Sequence, residues 1–222
     1  MRIDVITIFP EMLEGFLGQS MMKRAAEAGH VEFNLVNLRD FAEDKHRKTD
    51  DRPFGGGPGM VMKPEPIFKA VESLRTENCR VILMCPQGAP FKQARAQALS
   101  KEEHLIFICG HYEGVDERVR EVLVDEEISI GDYVLTNGVL SAAVVIDAVV
   151  RLRPDVLGGE GATESESFSE PLLEGPQYTR PADFRGMKVP QELLSGDHGS
   201  IAEWRRGQAE KRTGDRRPDL LS

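Results

Sequence analysis

The chain has 222 residues, 40% hydrophobic and 29% charged, enough to bury a real core and more than a single small domain needs. Its net charge of −9 argues against a uniformly basic nucleic-acid surface, but the charge is uneven: residues 155–176 carry six acidic side chains and no basic one, whereas from Gln177 onward nine Lys/Arg face seven Asp/Glu. Cys79, Cys85 and Cys109, an odd set without a C-x-x-C pair, argue for reduced thiols and against structural zinc, and no apolar run approaches a membrane span.

In chain order, residues 3–9 read as a strand, interrupted by Asp4 and too short for a signal segment, which points to a soluble cytoplasmic protein. Pro10 opens a helix carrying Leu13, Phe16, Leu17, Met21 and Ala25 at helical spacing, with Gly29 as its C-cap. Residues 31–36 alternate as a strand, and residues 37–62 run polar, charged and glycine-rich as a long loop. Helices are expected over 66–74 and 93–99, strands over 80–84 and 105–109, and a strand-like run at 127–130. Residues 139–150 form an apolar helix packed on most sides, with Asp147 inside it. Strands alternating with helices predict an α/β fold with a mainly parallel sheet. Domain 1–157 is followed by a Gly/Ser/Glu-rich linker at 158–170 and a small helical piece at 171–222, with helices at 190–194 and 200–211, Ser200 as N-cap and Glu203 as its capping-box partner.

Two loops, Gly110-His-Tyr-Glu-Gly114 and Ile130-Gly-Asp-Tyr-Val-Leu-Thr-Asn-Gly138, each follow an apolar run, so their glycines fall where a parallel sheet binds ligands. Met84-Cys-Pro-Gln-Gly88 ends a third strand in the same way. Arg52-Pro-Phe-Gly-Gly-Gly-Pro-Gly-Met60 lets backbone approach a ligand or makes a tight structural turn; it is neither a P-loop nor a dinucleotide fingerprint. Glu113 suits a cation or donor edge, or simply a solvated turn, and His111 has no second His or Cys at metal spacing. Arg151 ends the apolar helix, where it favours the C-terminal dipole, and Glu164 and Glu166 read as solvated charges on the linker. Residues 39–52 and 205–217 are the basic stretches on which a polyanion would dock.

Taken together, Asp4-Val-Ile-Thr-Ile-Phe-Pro10, Asp51-Arg-Pro-Phe-Gly-Gly-Gly-Pro-Gly-Met60, Pro86-Gln-Gly88, the two pocket loops, Pro176-Gln-Tyr-Thr-Arg-Pro181 and Leu193-Leu-Ser-Gly196 resemble the bacterial tRNA (guanine-N1)-methyltransferases of the knotted SPOUT class, over nearly the whole chain. The resemblance implies a deep trefoil knot holding S-adenosylmethionine, transfer of its methyl group to N1 of guanosine 37 beside the anticodon, and a homodimer whose sites combine the knot of one subunit with the C-terminal part of the other. By position it implies cofactor contacts at Pro86, Gln87, Gly88, Gly110, Tyr112, Glu113, Ile130, Gly131, Asp132, Tyr133, Val134, Leu135 and Gly138. It further implies substrate contacts at His46, Asp50, Gly59 and Glu174, a small C-terminal domain that binds the tRNA anticodon stem-loop, and Mg2+ dependence without a protein metal cage.

Guanine N1 carries a proton and is a poor nucleophile until it leaves, so the chemistry wants a carboxylate base and a cation near O6. The resemblance puts Arg151 beside the base and the catalytic carboxylate immediately before Ser-Phe, where the family has aspartate and this chain has Glu166; Glu164 stands nearby as a substitute. Asn137 replaces a common glycine and Gly214 a common tryptophan, and with the sequence ending soon after Leu221, reduced C-terminal tRNA contacts are expected. Two other classes fit less of the pattern: a knotted methyltransferase acting on ribose or ribosomal RNA, and a nucleotide-binding protein inactivated by the Glu substitution.

Overall fold

The structure, a computed structural model, describes residues 1–158 and 166–221. These divide into two compact units, Met1–Leu157 and Gly158–Ser222. Glu164 and most of the acidic linker lie outside the described residues.

The first unit is a five-stranded sheet of β1 (Arg2–Thr7), β2 (Glu32–Asn37), β5 (Cys79–Pro90), β6 (His104–Cys109) and β7 (Glu126–Ser129), in the order β2-β1-β6-β5-β7. Every pairing in it is parallel, so the sheet is buried on both faces and its strands read as continuous apolar runs. Period two sorts them: Ile82 and Met84 join the core with Val5, Phe107 and Val145, while Val81 and Leu83 join the opposite core with Ile6, Ile106 and Val71. The first core is covered by α1 (Glu11–Leu17), α2 (Ser20–Glu27), α4 (Gln93–Leu99) and α6 (Val139–Val150); the second by α3 (Pro64–Leu74) and α5 (Glu117–Leu123).

Where sequence periodicity predicts one helix after Pro10, the chain forms two. Gly18 caps α1, its Cα so close to the helix that an added Cβ would stand 2.9 Å from Glu14 O, and Ser20 then takes a left-handed φ of 51°. Gly29, at φ +76°, follows the α2 cap residue Ala28 in the conformation helix ends favour. The expected long loop at 37–62 contains a short 3-10 turn, Leu38–Phe41, and a small antiparallel hairpin of β3 (Asp50–Asp51) and β4 (Val61–Met62). The α6 helix is open on one side, with Leu140, Val144 and Asp147 exposed.

Strand β5 runs further than the apolar segment suggests because it breaks register rather than ending. Both Met84 and Ala89 pair with Ile128, so Cys85, Pro86, Gln87 and Gly88 are squeezed out of the ladder, and Pro86 has no N–H to lose there.

The second unit holds a two-stranded hairpin of β8 (Asp183–Phe184) and β9 (Met187–Lys188), a 3-10 turn at Gln191–Leu194 and α7 (His198–Arg216). It is therefore not purely helical. Asp197, rather than Ser200, caps α7: its carboxylate accepts from Gly199 N at 3.0 Å and Ser200 N at 3.4 Å, and Ser200 Oγ donates back to it at 2.6 Å. A carboxylate at the positive end of a helix is the stronger acceptor, which moves the start three residues upstream. Among the described residues no helix is long and apolar enough to cross a membrane.

Candidate active site

At the carboxyl ends of β5, β6 and β7, three loops enclose a cavity of about 290 Å3. Pro86 and Gln87 come from the squeezed-out segment of β5; Gly110, Tyr112 and Glu113 come from the loop after β6; Ile130, Gly131, Tyr133, Val134, Leu135 and Gly138 come from the loop after β7. Of the positions the resemblance marks for the cofactor, Gly88 and Asp132 do not line it. Asp132 is exposed, and Gly88 lies behind the wall, where an added Cβ would stand 2.5 Å from Glu127 C and Ile128 N.

The three loops are locked by backbone. Gly138 N donates to Gly110 O at 2.9 Å, and a Cβ on Gly138 would stand 3.0 Å from Cys109 Cα, so the start of α6 lies directly on the end of β6. His111 and Asn137 form an antiparallel bridge between the second and third loops, and Asn137 Oδ1 accepts from Val139 N at 2.9 Å, which gives the chain's unusual asparagine a cap at the head of α6. Tyr112 sits at φ +56°, an uncommon conformation for a non-glycine residue that is held by the turn closed by Gly114 N and His111 O at 3.1 Å.

The β3–β4 hairpin is tied to this wall. Glu113 N donates to Met60 O at 3.0 Å and Met62 N to Gly114 O at 2.9 Å, and the Glu113 side chain lies over the bare Cα of Gly59, at φ +81°. Gly59 and Glu113 therefore belong together, a pairing that sequence distance hides. Asp50 is half-buried in β3, while His46 is exposed in the preceding loop, its backbone N donating to Asp44 Oδ1 at 2.8 Å.

Two further lining residues take their setting from the fold rather than from a motif. Arg120, on α5, reaches Cys85 Sγ at 3.1 Å and pairs with Glu127 and, at 3.4 Å, with Glu117. Burial works against its charge, but the Cys85 contact and the two carboxylates outweigh burial and raise its pKa. The clue was the Glu117-x-x-Arg120 spacing, but α5 buries only Val119 and Leu123 and leaves little periodicity to read. His111 also lines the cavity, packed edge-on between Phe9 at 5.3 Å and Tyr112 at 4.4 Å, with its buried Nδ1 lacking a hydrogen-bond partner among the described residues. Behind the wall, burial pushes the Cys109 thiol far up from its ordinary value, so it stays protonated and inert.

Arg151 forms the C-cap of α6, its N–H donating to Asp147 O at 3.1 Å, and is half-buried in the first unit. Glu166 and Glu174 are half-buried in the second. Glu166 O accepts from Ser169 N at 3.2 Å and Ser169 Oγ at 2.6 Å in a tight turn, and Glu174 N donates to Ser167 Oγ at 3.0 Å, so one small knuckle carries both carboxylates. Among the described residues no group of three or more His, Cys, Asp or Glu is placed to hold a metal ion.

Residues 1–222 match the sequence profile of the family described as tRNA (Guanine-1)-methyltransferase TrmD. Relatives called tRNA (guanine-N(1)-)-methyltransferase align along the whole chain: the protein of Moorella thermoacetica is 62% identical over 226 residues, covering 90% of its length. That of Anoxybacillus flavithermus is 60% identical over 224 residues with 91% covered, and that of Bacillus subtilis 56% over 224 with 92% covered. A profile that takes in every residue, pocket loops and second unit alike, settles the matter of kinship: the chain belongs to the tRNA (guanine-1)-methyltransferase family.

Proposed function

We propose that this protein transfers a methyl group from S-adenosylmethionine to N1 of guanosine 37 in tRNA. The observation that carries the reading is the single cavity into which three loops, distant in sequence, bring Pro86, Gly110, Tyr112, Glu113 and the 130–138 segment, in a chain whose full length matches the family. Its chemistry suits the cofactor: apolar walls from Val134, Leu135 and Ile130 alternate with backbone polar groups able to read an adenine edge, and the Glu113 carboxylate offers negative charge to a cationic sulfonium. When bound, that cofactor supplies an electrophilic methyl group.

The residues' part is to make guanine N1 a nucleophile. Glu166 is the proposed general base, taking the N1 proton as the new bond forms. Arg151 faces the negative charge that grows towards O6, and Glu174, His46, Asp50 and Gly59 hold the base. A free Glu carboxylate titrates near about 4.3, too low to deprotonate an amide-like N–H unaided, so stabilisation by Arg151 in a water-poor site carries much of the work. The protein presents no cage of its own for Mg2+ among the described residues, and no step is assigned to the ion.

The convergence of residues 84–88, 109–110 and 127–138 on one another within hydrogen-bond or van der Waals distance supports a deep trefoil knot as the pocket's frame. A homodimer is supported by the apolar residues that α6 and its neighbours leave in water: Val134 is 83% exposed, Leu140 52%, Val144 50% and Met12 42%. In such a dimer Glu166 and Glu174 of one subunit serve the pocket of the other, and the basic face of α7 holds the tRNA in the cytoplasm.

The test is transfer of labelled methyl from S-adenosylmethionine to tRNA transcripts bearing G or A at position 37, with the product nucleoside identified after digestion. Incorporation as 1-methylguanosine only in the G37 transcript is expected. Methylation of both, or a ribose-methylated product, would transfer the protein to the other knotted classes.

A further inference from the structure

The Arg52-to-Met60 loop contains a residue that the pocket does not account for. Phe54 is fully exposed, whereas the bases of the loop on both sides are fixed. Asp51 pairs with Val61 across the β3–β4 hairpin, and Met60 O and Met62 N are hydrogen-bonded to the Glu113 loop at 3.0 and 2.9 Å. The tip is a defined turn rather than loose coil: Gly56 N donates to Pro53 O at 3.3 Å, and Gly55 at φ +83° supplies the positive φ that the third position of a type II turn requires. Phe54 is the second residue of that turn. A fold that needed only a turn there would put a polar residue at this point; this one holds a flat apolar ring in water, on a hairpin whose foot is hydrogen-bonded to the Glu113 loop of the pocket wall.

The surroundings indicate what the ring meets. Lys45, Lys48 and Arg52, on the same hairpin and its approach, are exposed and make no ion pair among the described residues, unlike Arg47, which is paired with Asp40 at 3.0 Å. An exposed aromatic ring on a loop whose approach carries unpaired cations matches single-stranded RNA, whose unstacked bases lie on aromatic side chains while phosphates meet Lys and Arg. Resting on the reading that the pocket methylates a guanine in a tRNA loop, we propose that Phe54 stacks on a nucleobase flanking the target guanine and so holds the loop open with the target base extruded towards the pocket.

The test compares Phe54→Ala, Phe54→Leu and Phe54→Trp with the unaltered full chain, reading methyl transfer to a tRNA transcript, equilibrium binding of a fluorescein-labelled anticodon stem-loop, S-adenosylmethionine affinity by calorimetry and assembly state by sedimentation. Phe54→Ala is expected to weaken stem-loop binding and raise KM for tRNA about tenfold, with cofactor affinity and assembly unchanged. Phe54→Trp keeps both close to the original, and Phe54→Leu behaves like alanine because it offers no flat face. Original binding in Phe54→Ala, full rescue by leucine, or a loss that tracks a change in assembly state would each overturn the proposal. The stem-loop measurement needs no turnover, so it judges Phe54 even where the unaltered chain transfers no methyl group, an outcome that would count against the proposed function instead.

Discussion

Around the pocket, backbone meets backbone: Gly88 lies against Glu127 and Ile128, Gly138 against Cys109, and the sheet beneath is buried on both faces. In the second unit, Thr213 is the one buried residue among those described, and the aromatic and basic side chains face outward, with Phe184 and Tyr178 about half exposed and Arg185 stacked on Phe184 at 5.1 Å. The first region fixes its shape with contacts internal to the chain, as a site must when a small flexible ligand is to be held in one conformation. The second presents its chemistry on its surface, which fits the proposed role of holding a large polyanion. Substitutions should therefore act oppositely in the two regions: small additions wreck the first and leave the second intact, while loss of a polar group matters most where it is the second unit's rare buried anchor.

The largest effect is expected at Glu166, where the proposed function puts chemistry rather than shape on the second unit. Glu166→Gln should lower single-turnover methyl transfer at least about a hundredfold, roughly 3 kcal/mol of barrier, while S-adenosylmethionine affinity is unchanged. Glu166→Asp should recover most of the rate, because it keeps a carboxylate at that position. A near-original rate in Glu166→Gln would remove it as the base.

Next is Gly88→Ala. Its Cβ would stand 2.5 Å from Glu127 C and Ile128 N, and because those are backbone atoms of β7 they cannot rotate away. A loss of about 2–3 kcal/mol in thermal or denaturant unfolding is expected, with weakened S-adenosylmethionine binding measured by calorimetry as the wall shifts. Gly88 does not touch the cavity, so an unchanged cofactor affinity in a stable Gly88→Ala protein would show that the wall is not locked from behind.

How much of this was legible follows from which signals are local. Residues 93–99 and 139–150 are helices with the limits their apolar spacing predicts, and the parallel sheet follows from strands too apolar to face water. The break between α1 and α2 was not legible, because Leu13 to Ala25 keep helical spacing across it and only Gly18 and the left-handed Ser20 mark the interruption. Residues 85–88 carry Pro and Gly and so look like the end of a strand; that β5 resumes pairing at Ala89 depends on β7, some forty residues away. The glycines of the pocket could be marked from sequence, but not their separate duties. Gly88 makes room for a neighbouring strand, Gly59 for the Glu113 side chain and Gly138 for the end of β6, and each duty is a tertiary contact. Arg120 carries no readable signal for the same reason, its partner Cys85 being remote in sequence, and the ring contact of His111 with Phe9, though the loop itself is marked, is equally remote.

In the second unit the matching loss is Thr213→Val. The Thr213 hydroxyl accepts from Leu173 N at 2.9 Å and donates to Ala209 O at 2.7 Å, so it pins the segment beyond Glu166 to α7. Valine keeps the volume but takes the hydroxyl partner from Leu173 N in a half-buried segment, at a cost of about 1 kcal/mol. Hydrogen exchange should show faster opening of residues 171–174 and of the α7 C-terminal turns, with the pocket loops unaffected.

The smallest effect has the opposite sign and sets the two regions against each other with one kind of substitution. Gly207 lies inside α7, is exposed, and an added Cβ would meet nothing within 4 Å. Glycine in a helix interior loses more backbone entropy on folding than alanine, so Gly207→Ala should raise the stability of the second unit by about 0.5–1 kcal/mol. The same methyl group that damages the first unit at position 88 should improve the second at 207, visible as slower amide exchange along α7 with methyl transfer preserved. A Gly207→Ala protein with lowered stability would mean that this face of α7 is packed against a surface in the assembled protein, and the second unit would then share the close fit that distinguishes the pocket.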